Sequence, residues 1–125
     1  MNSMNLARTA YSSAKTPIRT HQSTEYDVLA QVTGHLKTAI ARGRNGFADL
    51  ATALHDNRKL WILLAADVAD KDNALPQPLR AQIFYLAEFI LQHSTKVLDG
   101  SAGADVLVEI NTTVMRGLRS QAIAA

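Results

Sequence analysis

The chain has no cysteine. That excludes a disulfide framework, a thiol nucleophile and any thiolate metal site. Its six glycines match neither GxGxxG nor GxxxxGK, so no local phosphate-binding loop is present. Only three prolines occur, and Pro17, Pro76 and Pro78 all sit between apolar-periodic stretches. Long hydrophobic runs are also missing. The longest notable one is Leu60 to Ala66, seven residues. A bilayer-spanning helix needs roughly 17–25. The first fifteen residues, MNSMNLARTAYSSAK, lack the continuous apolar core of a secretory signal.

A strong charge of one sign is absent too. The formal net charge is +2. Residues 1–59 hold eight Lys/Arg against four Asp/Glu, and residues 60–125 hold five against seven. This imbalance falls short of the dense basic footprint of a nucleic-acid module. The four histidines, His21, His35, His55 and His93, are scattered, and no HExxH pair occurs. Asp67, Asp70 and Asp72 lack the central glycine and closing glutamate of a calcium loop. They read as a solvated helix end and turn, with Asp67 placed to accept a hydrogen bond from a neighbouring helix. No cofactor or metal is implied.

What remains is helical periodicity. Hydrophobic residues make up 47% of the 125, enough for a core in one domain spanning 1–125. The expected class is all-α, a small bundle of four to five helices. Residues 1–22 read as an N-terminal helix or arm plus linker: Met4, Ala7, Ala10, Tyr11 and Ala14 form a stripe, and PIRTHQS, 17–23, forms the join. A second helix opens at Ser23 or Thr24, with Glu25 and Asp27 in its first turn. Val28, Leu29, Val32, Leu36, Ala39 and Ile40 are its apolar face, and Gly43 stops it. A third starts near Asn45, with Gly46 in its first turn. It carries Phe47, Leu50, Ala51, Leu54, Trp61, Leu64, Ala65 and Val68 on one line, with Ile62 and Leu63 broadening the covered surface.

The polar stretch 69–78 follows, with Pro76 suited to the first turn of the next helix. That helix bears Leu79, Ile83, Phe84, Leu86, Ala87, Ile90, Leu91, Val97 and Leu98. So wide an apolar face suggests a central position in the bundle. The last helix runs from about Ala104 to Ser120 on Val106, Leu107, Ile110, Val114 and Leu118. Asn57 and Asn111 are polar amides on or beside apolar faces. Such groups need partners, either in a neighbouring helix or in another molecule's backbone.

The same residues carry a family resemblance. NRKLWxxLxxDVxxxxNxLPxxLR, Asn57 to Arg80, resembles the central signature of the flagellar biosynthesis regulator family FlaF. EINTTVMRGL, Glu109 to Leu118, resembles its closing motif, and Tyr11 is similar to its early tyrosine. The resemblance implies a small cytoplasmic helical protein without catalytic activity, needed for flagellin synthesis and filament assembly. It implies flagellin as partner, bound much as a secretion chaperone would bind it, and a functional link to the regulator FlbT. The residues it carries over are Tyr11, Asn57, Trp61, Asp67, Asn73, Leu75, Pro76, Arg80, Asn111, Gly117 and Leu118. Asn57, Trp61, Asp67 and Asn73 are expected to fix one helix–turn–helix corner. The alternative is a nucleic-acid-binding regulator of flagellin expression, using Arg19, Lys37, Arg42, Arg44, Arg58 and Lys59.

Overall fold

The computed structural model describes residues 21–124, and side chains for 24–121. The helix expected over 1–16, Tyr11 and the first part of the join lie outside the described residues. Four α-helices make up the rest: α1 (His21–Ala41), α2 (Phe47–Ala69), α3 (Gln77–Leu98) and α4 (Asp105–Ala124). A 3-10 turn, Gly43–Gly46, joins the first two. No strand occurs among the described residues, so the fold is all-α.

The first helix is already formed at His21, inside the predicted join, so neither Ser23 nor Thr24 is its cap and Glu25 falls beyond the first turn. The stretch HQSTEYD contains no glycine or proline. Nothing in it stops the helix from extending upstream, and a Ser/Thr cap signal marks only one of several permitted starts.

Short connections make chain neighbours antiparallel. α2 packs against both α1 and α3, and α4 lies along α1. The α3–α4 seam is the thinnest. α2 and α4 therefore face each other across the core and meet through side chains. Leu29, Leu36, Leu54, Trp61, Ile83, Ile90, Leu107 and Val114 fill that core and are essentially inaccessible. Each such side chain contributes about 1.5–3 kcal/mol by leaving water.

The α1–α2 corner depends on two glycines. Gly43 has φ 61°, the left-handed conformation that ends a helix without a Cβ penalty. Gly46 is buried and precedes α2 rather than lying in its first turn. A Cβ there would stand 2.7 Å from the Ala39 carbonyl oxygen and 2.7 Å from Arg42 Cβ. Its role is close approach, where the sequence suggested only a small propensity cost. Gly46→Ala is expected to lower unfolding free energy by about 1–2 kcal/mol through overpacking, read as a reduced urea midpoint. Arg42 and Asp49 form an ion pair across the same corner, both side chains half exposed, so it adds little.

Four side chains given to the apolar faces turn outward. Phe47, Ile62 and Phe84 are each about half exposed and Leu98 is exposed too, while Ala53 and Leu60 are buried in α2. The predicted line Leu54, Trp61, Leu64 and Val68 is buried; Phe47 is exposed as the first residue of α2, and Ile62 lies off that line. α3 shows the largest difference. It is not central. Ile83, Ala87, Ile90, Ser94 and Val97 face the core, whereas Phe84, Tyr85, Phe89 and Leu98 lie on its outer side. Its apolar arc is wide because it has two faces.

Candidate functional site

The signature residues fall into two separate groups. Asn57 and Trp61 stand one turn apart on α2, and so share a face. Both are fully buried, as is Asn111 of α4. Asn111 is the hub. Its Oδ1 accepts from Trp61 Nε1 at 2.9 Å. Its Nδ2 donates to Asn57 Oδ1 at 2.9 Å and to Thr33 Oγ1 at 3.1 Å. Thr33 passes its own proton to the Leu29 carbonyl at 2.6 Å. One amide thereby ties α1, α2 and α4 together. The second possibility raised by the sequence, that these amides hold another molecule's backbone, does not fit their complete burial.

One donor is left over. Asn57 Nδ2 is buried without a hydrogen-bond partner. Turning the amide over would set its NH2 against the NH2 of Asn111, so the observed orientation is the better of two imperfect ones. The cluster contains no ionisable group. It offers no proton to move and no nucleophile, and it fixes how the diagonal helices face each other.

The second group closes the α2–α3 corner. Asn73 Nδ2 donates to the Asp67 carbonyl at 3.1 Å, and its Oδ1 accepts from Leu75 N at 3.0 Å. A single side chain thus satisfies a carbonyl at the end of α2 and an amide before α3, groups that a helix leaves unpaired. Leu75 drops into the core. Pro76 is the cap residue, extended at φ −57° and ψ 144°, and Pro78 sits in the first turn of α3. The sequence had placed Pro76 inside that turn. Arg80 reaches back, with Nε on the Val68 carbonyl at 3.0 Å and Nη2 on the Asp70 carbonyl at 2.8 Å. A charged donor on helix-end carbonyls is a strong arrangement. Arg80→Ala should destabilise by about 1.5 kcal/mol, with faster amide exchange confined to 67–80 as its local signature.

The expected single corner is therefore two sites. Ten residues separate Asn57 from Asp67, about 15 Å along a helix. Asp67 also departs from the solvated reading. It is half-buried and shares a hydrogen bond with Glu25 of α1. Burial, then the bond to Asp67 and its charge, push the Glu25 carboxyl up to about 9. Glu25 accordingly carries a proton at neutral pH and donates it to Asp67. Asp70 and Asp72 are exposed, and the Asp72 amide donates to Asp70 Oδ1 at 2.9 Å. In the closing motif, Leu118 is buried and Gly117 lies beside Leu79, whose Cδ1 would meet an added Cβ at 3.5 Å. That is ordinary contact, so Gly117 marks the α3–α4 crossing without being forced there.

Three features escaped sequence reasoning. Thr33 and Glu25 look like ordinary helix-surface residues, and only their partners on other helices reveal them. The outer face of α3 had a signal. Phe84, Tyr85 and Phe89 cannot all share one core-facing arc with Ile83, Ala87 and Ile90. Phe84 and Tyr85 line a groove of about 540 Å³ with Val68, Ala69 and Ala81, and Arg80 and Glu88 also line it. Phe89 stacks on His93 with ring centroids 5.1 Å apart, and a His93 ring nitrogen meets the Gly103 carbonyl at 2.8 Å. Among the described residues, no helix is long and apolar enough to cross a membrane.

Comparison with known proteins gives one finding. The family model described as flagellar protein FlaF matches residues 7–118. No curated protein and no solved structure matches the chain significantly.

Proposed function

Because this chain belongs to the FlaF family of flagellar proteins, we propose that it is a regulatory adaptor that binds flagellin in the cytoplasm before export. It holds the subunit soluble and couples its abundance to synthesis. The observation that carries the reading is the exposed aromatic face of α3. Phe84 is 48% and Tyr85 74% exposed, on a helix whose other face already fills the core. The buried amides and the α2–α3 corner support the reading from the opposite side. Asn57, Trp61, Asn73, Arg80 and Asn111 are spent on holding the scaffold, which suits a binding module. A functional link to FlbT belongs to the same proposal. Direct contact with nucleic acid is not part of it.

The test is titration of purified monomeric flagellin into the full chain by calorimetry. A saturable complex with Kd in the micromolar range is expected. Failure to form any complex at roughly tens of micromolar, about −6 kcal/mol of binding free energy, would overturn it. Retention of the complex at high salt would separate it from phosphate-driven binding to transcript, which weakens steeply with salt.

A further inference from the structure

We propose that the outer groove between α2 and α3 receives an amphipathic helix of the partner, its apolar stripe against Phe84 and Tyr85 and a basic residue of its flank at Glu88. The inference rests on the flagellin-binding reading and specifies the surface and the chemistry of the bound segment.

Three observations carry it. The first is shape. The small or short side chains Val68, Ala69 and Ala81 line the groove together with the larger Phe84 and Tyr85. Small residues let another backbone come close, and the bulky ones supply the contact area. A helix laid in such a groove anchors through positions i, i+3, i+4 and i+7. The second is that the groove lies open to solvent beside Tyr85, 74% exposed. A small molecule is held by sites that bury roughly 70–90% of its surface, which an open groove does not do. The third is charge. Glu88 lines the groove and forms no hydrogen bond or ion pair with any described residue. Asp70 and Asp72 are exposed at the corner end. The cations there are fewer: Lys71 is exposed on the same corner, and Arg80 has Nε and Nη2 bonded to the Val68 and Asp70 carbonyls. An unpaired carboxylate on an apolar groove selects a cationic flank, because an acidic one would meet repulsion there.

The experiment uses the full chain and two probes. One is monomeric flagellin. The other is a pair of designed helical peptides with the same apolar stripe, flanked by lysine in one and glutamate in the other. Variants are Tyr85→Ser and Glu88→Lys, with Phe47→Ser as control. Phe47 is also exposed but opens α2, at the opposite end from the groove. All three substitutions touch exposed side chains, so thermal unfolding is expected to stay within a few degrees of the parent chain. Tyr85→Ser and Glu88→Lys should each weaken flagellin binding at least tenfold, and Phe47→Ser less than twofold. The lysine peptide should bind at least tenfold more tightly than the glutamate peptide and displace flagellin. Flagellin binding that survives both groove substitutions overturns the proposal and leaves the flagellin reading intact. Binding of the lysine peptide without flagellin binding supports the groove and overturns the flagellin reading. Binding of neither probe overturns both. A parent-chain dimer in sedimentation, abolished by Tyr85→Ser, would assign the groove to a second copy and overturn the proposal.

Discussion

Asn111→Ala is expected to remove about 3–5 kcal/mol of unfolding free energy. The stranded groups set that size. The substitution takes away the acceptor for Trp61 Nε1 and the donor to Asn57 and Thr33. Each buried polar group left unpaired costs about 1–3 kcal/mol, and the lost side-chain volume adds a cavity term. Asn57→Leu should be milder, about 1–2 kcal/mol, because it also removes the amide donor that already lacks a partner. The two changes touch one network, so their effects should not add. Trp61 is the sole tryptophan and lies inside the cluster, so its fluorescence reports urea unfolding directly. A loss below about 1 kcal/mol for Asn111→Ala, the worth of a single ordinary hydrogen bond, would show that the cluster is energetically minor.

Glu25→Gln is expected to stabilise the protein, and more so as pH rises. The carboxyl is raised from its ordinary value to about 9, chiefly by burial and then by Asp67. In the unfolded chain it ionises near its ordinary value of 4.5. Between those two values the folded state binds the extra proton. Stability associated with Glu25 is therefore fully present below about 4.5 and falls as pH climbs toward 9. Glutamine keeps an N–H donor for Asp67 and has no proton to lose. At pH 5 the parent and the variant should unfold at similar urea concentrations. By pH 8 the variant should be more stable by roughly 2–3 kcal/mol, since holding the proton costs the folded parent up to about 1.36 kcal/mol for each pH step above 4.5, less what partial solvation relieves. A parent chain whose midpoint is flat from pH 5 to 8 would contradict the shared proton.

Much of the fold was legible because it follows from spacing. Leu29, Val32 and Leu36, or Leu107, Val114 and Leu118, recur at helical intervals and end up buried. Gly43 announced its own corner, since a glycine just past an apolar helical stripe is a common left-handed helix stop. Asn57 and Asn111 were legible as misfits, polar amides beside apolar lines. Their pairing with each other was not. It links residues 54 apart in sequence, and no local rule carries that information. Glu25 was hidden for the same reason, since its altered proton affinity comes chiefly from burial in the assembled bundle and then from Asp67 of α2, and neither can be read from its own helix. The outer face of α3 was misread for a different reason. Periodicity counts apolar residues without saying which of two directions they face. A residue such as Phe84 joins either the core or the surface, and only the packing of α2 and α4 around the helix decides.

The thin seam between α3 and α4 has a consequence for the order of assembly. α4 finds most of its contacts on α1, so its docking closes a loop spanning nearly the whole described chain. Long loops are entropically late to close. As the chain leaves the ribosome, α1, α2 and α3 can gather first, each beside its chain neighbour. Without α4 the Trp61 indole lacks its Asn111 acceptor, the Asn57 oxygen lacks its Asn111 donor, and Leu107 and Val114 are missing from the core. The arrival of Asn111 supplies the missing acceptor and donor in one step. The final helix is thus the latch of the fold: a chain ending before it is expected to leave an unsealed apolar interior and to be cut by protease faster than the full chain.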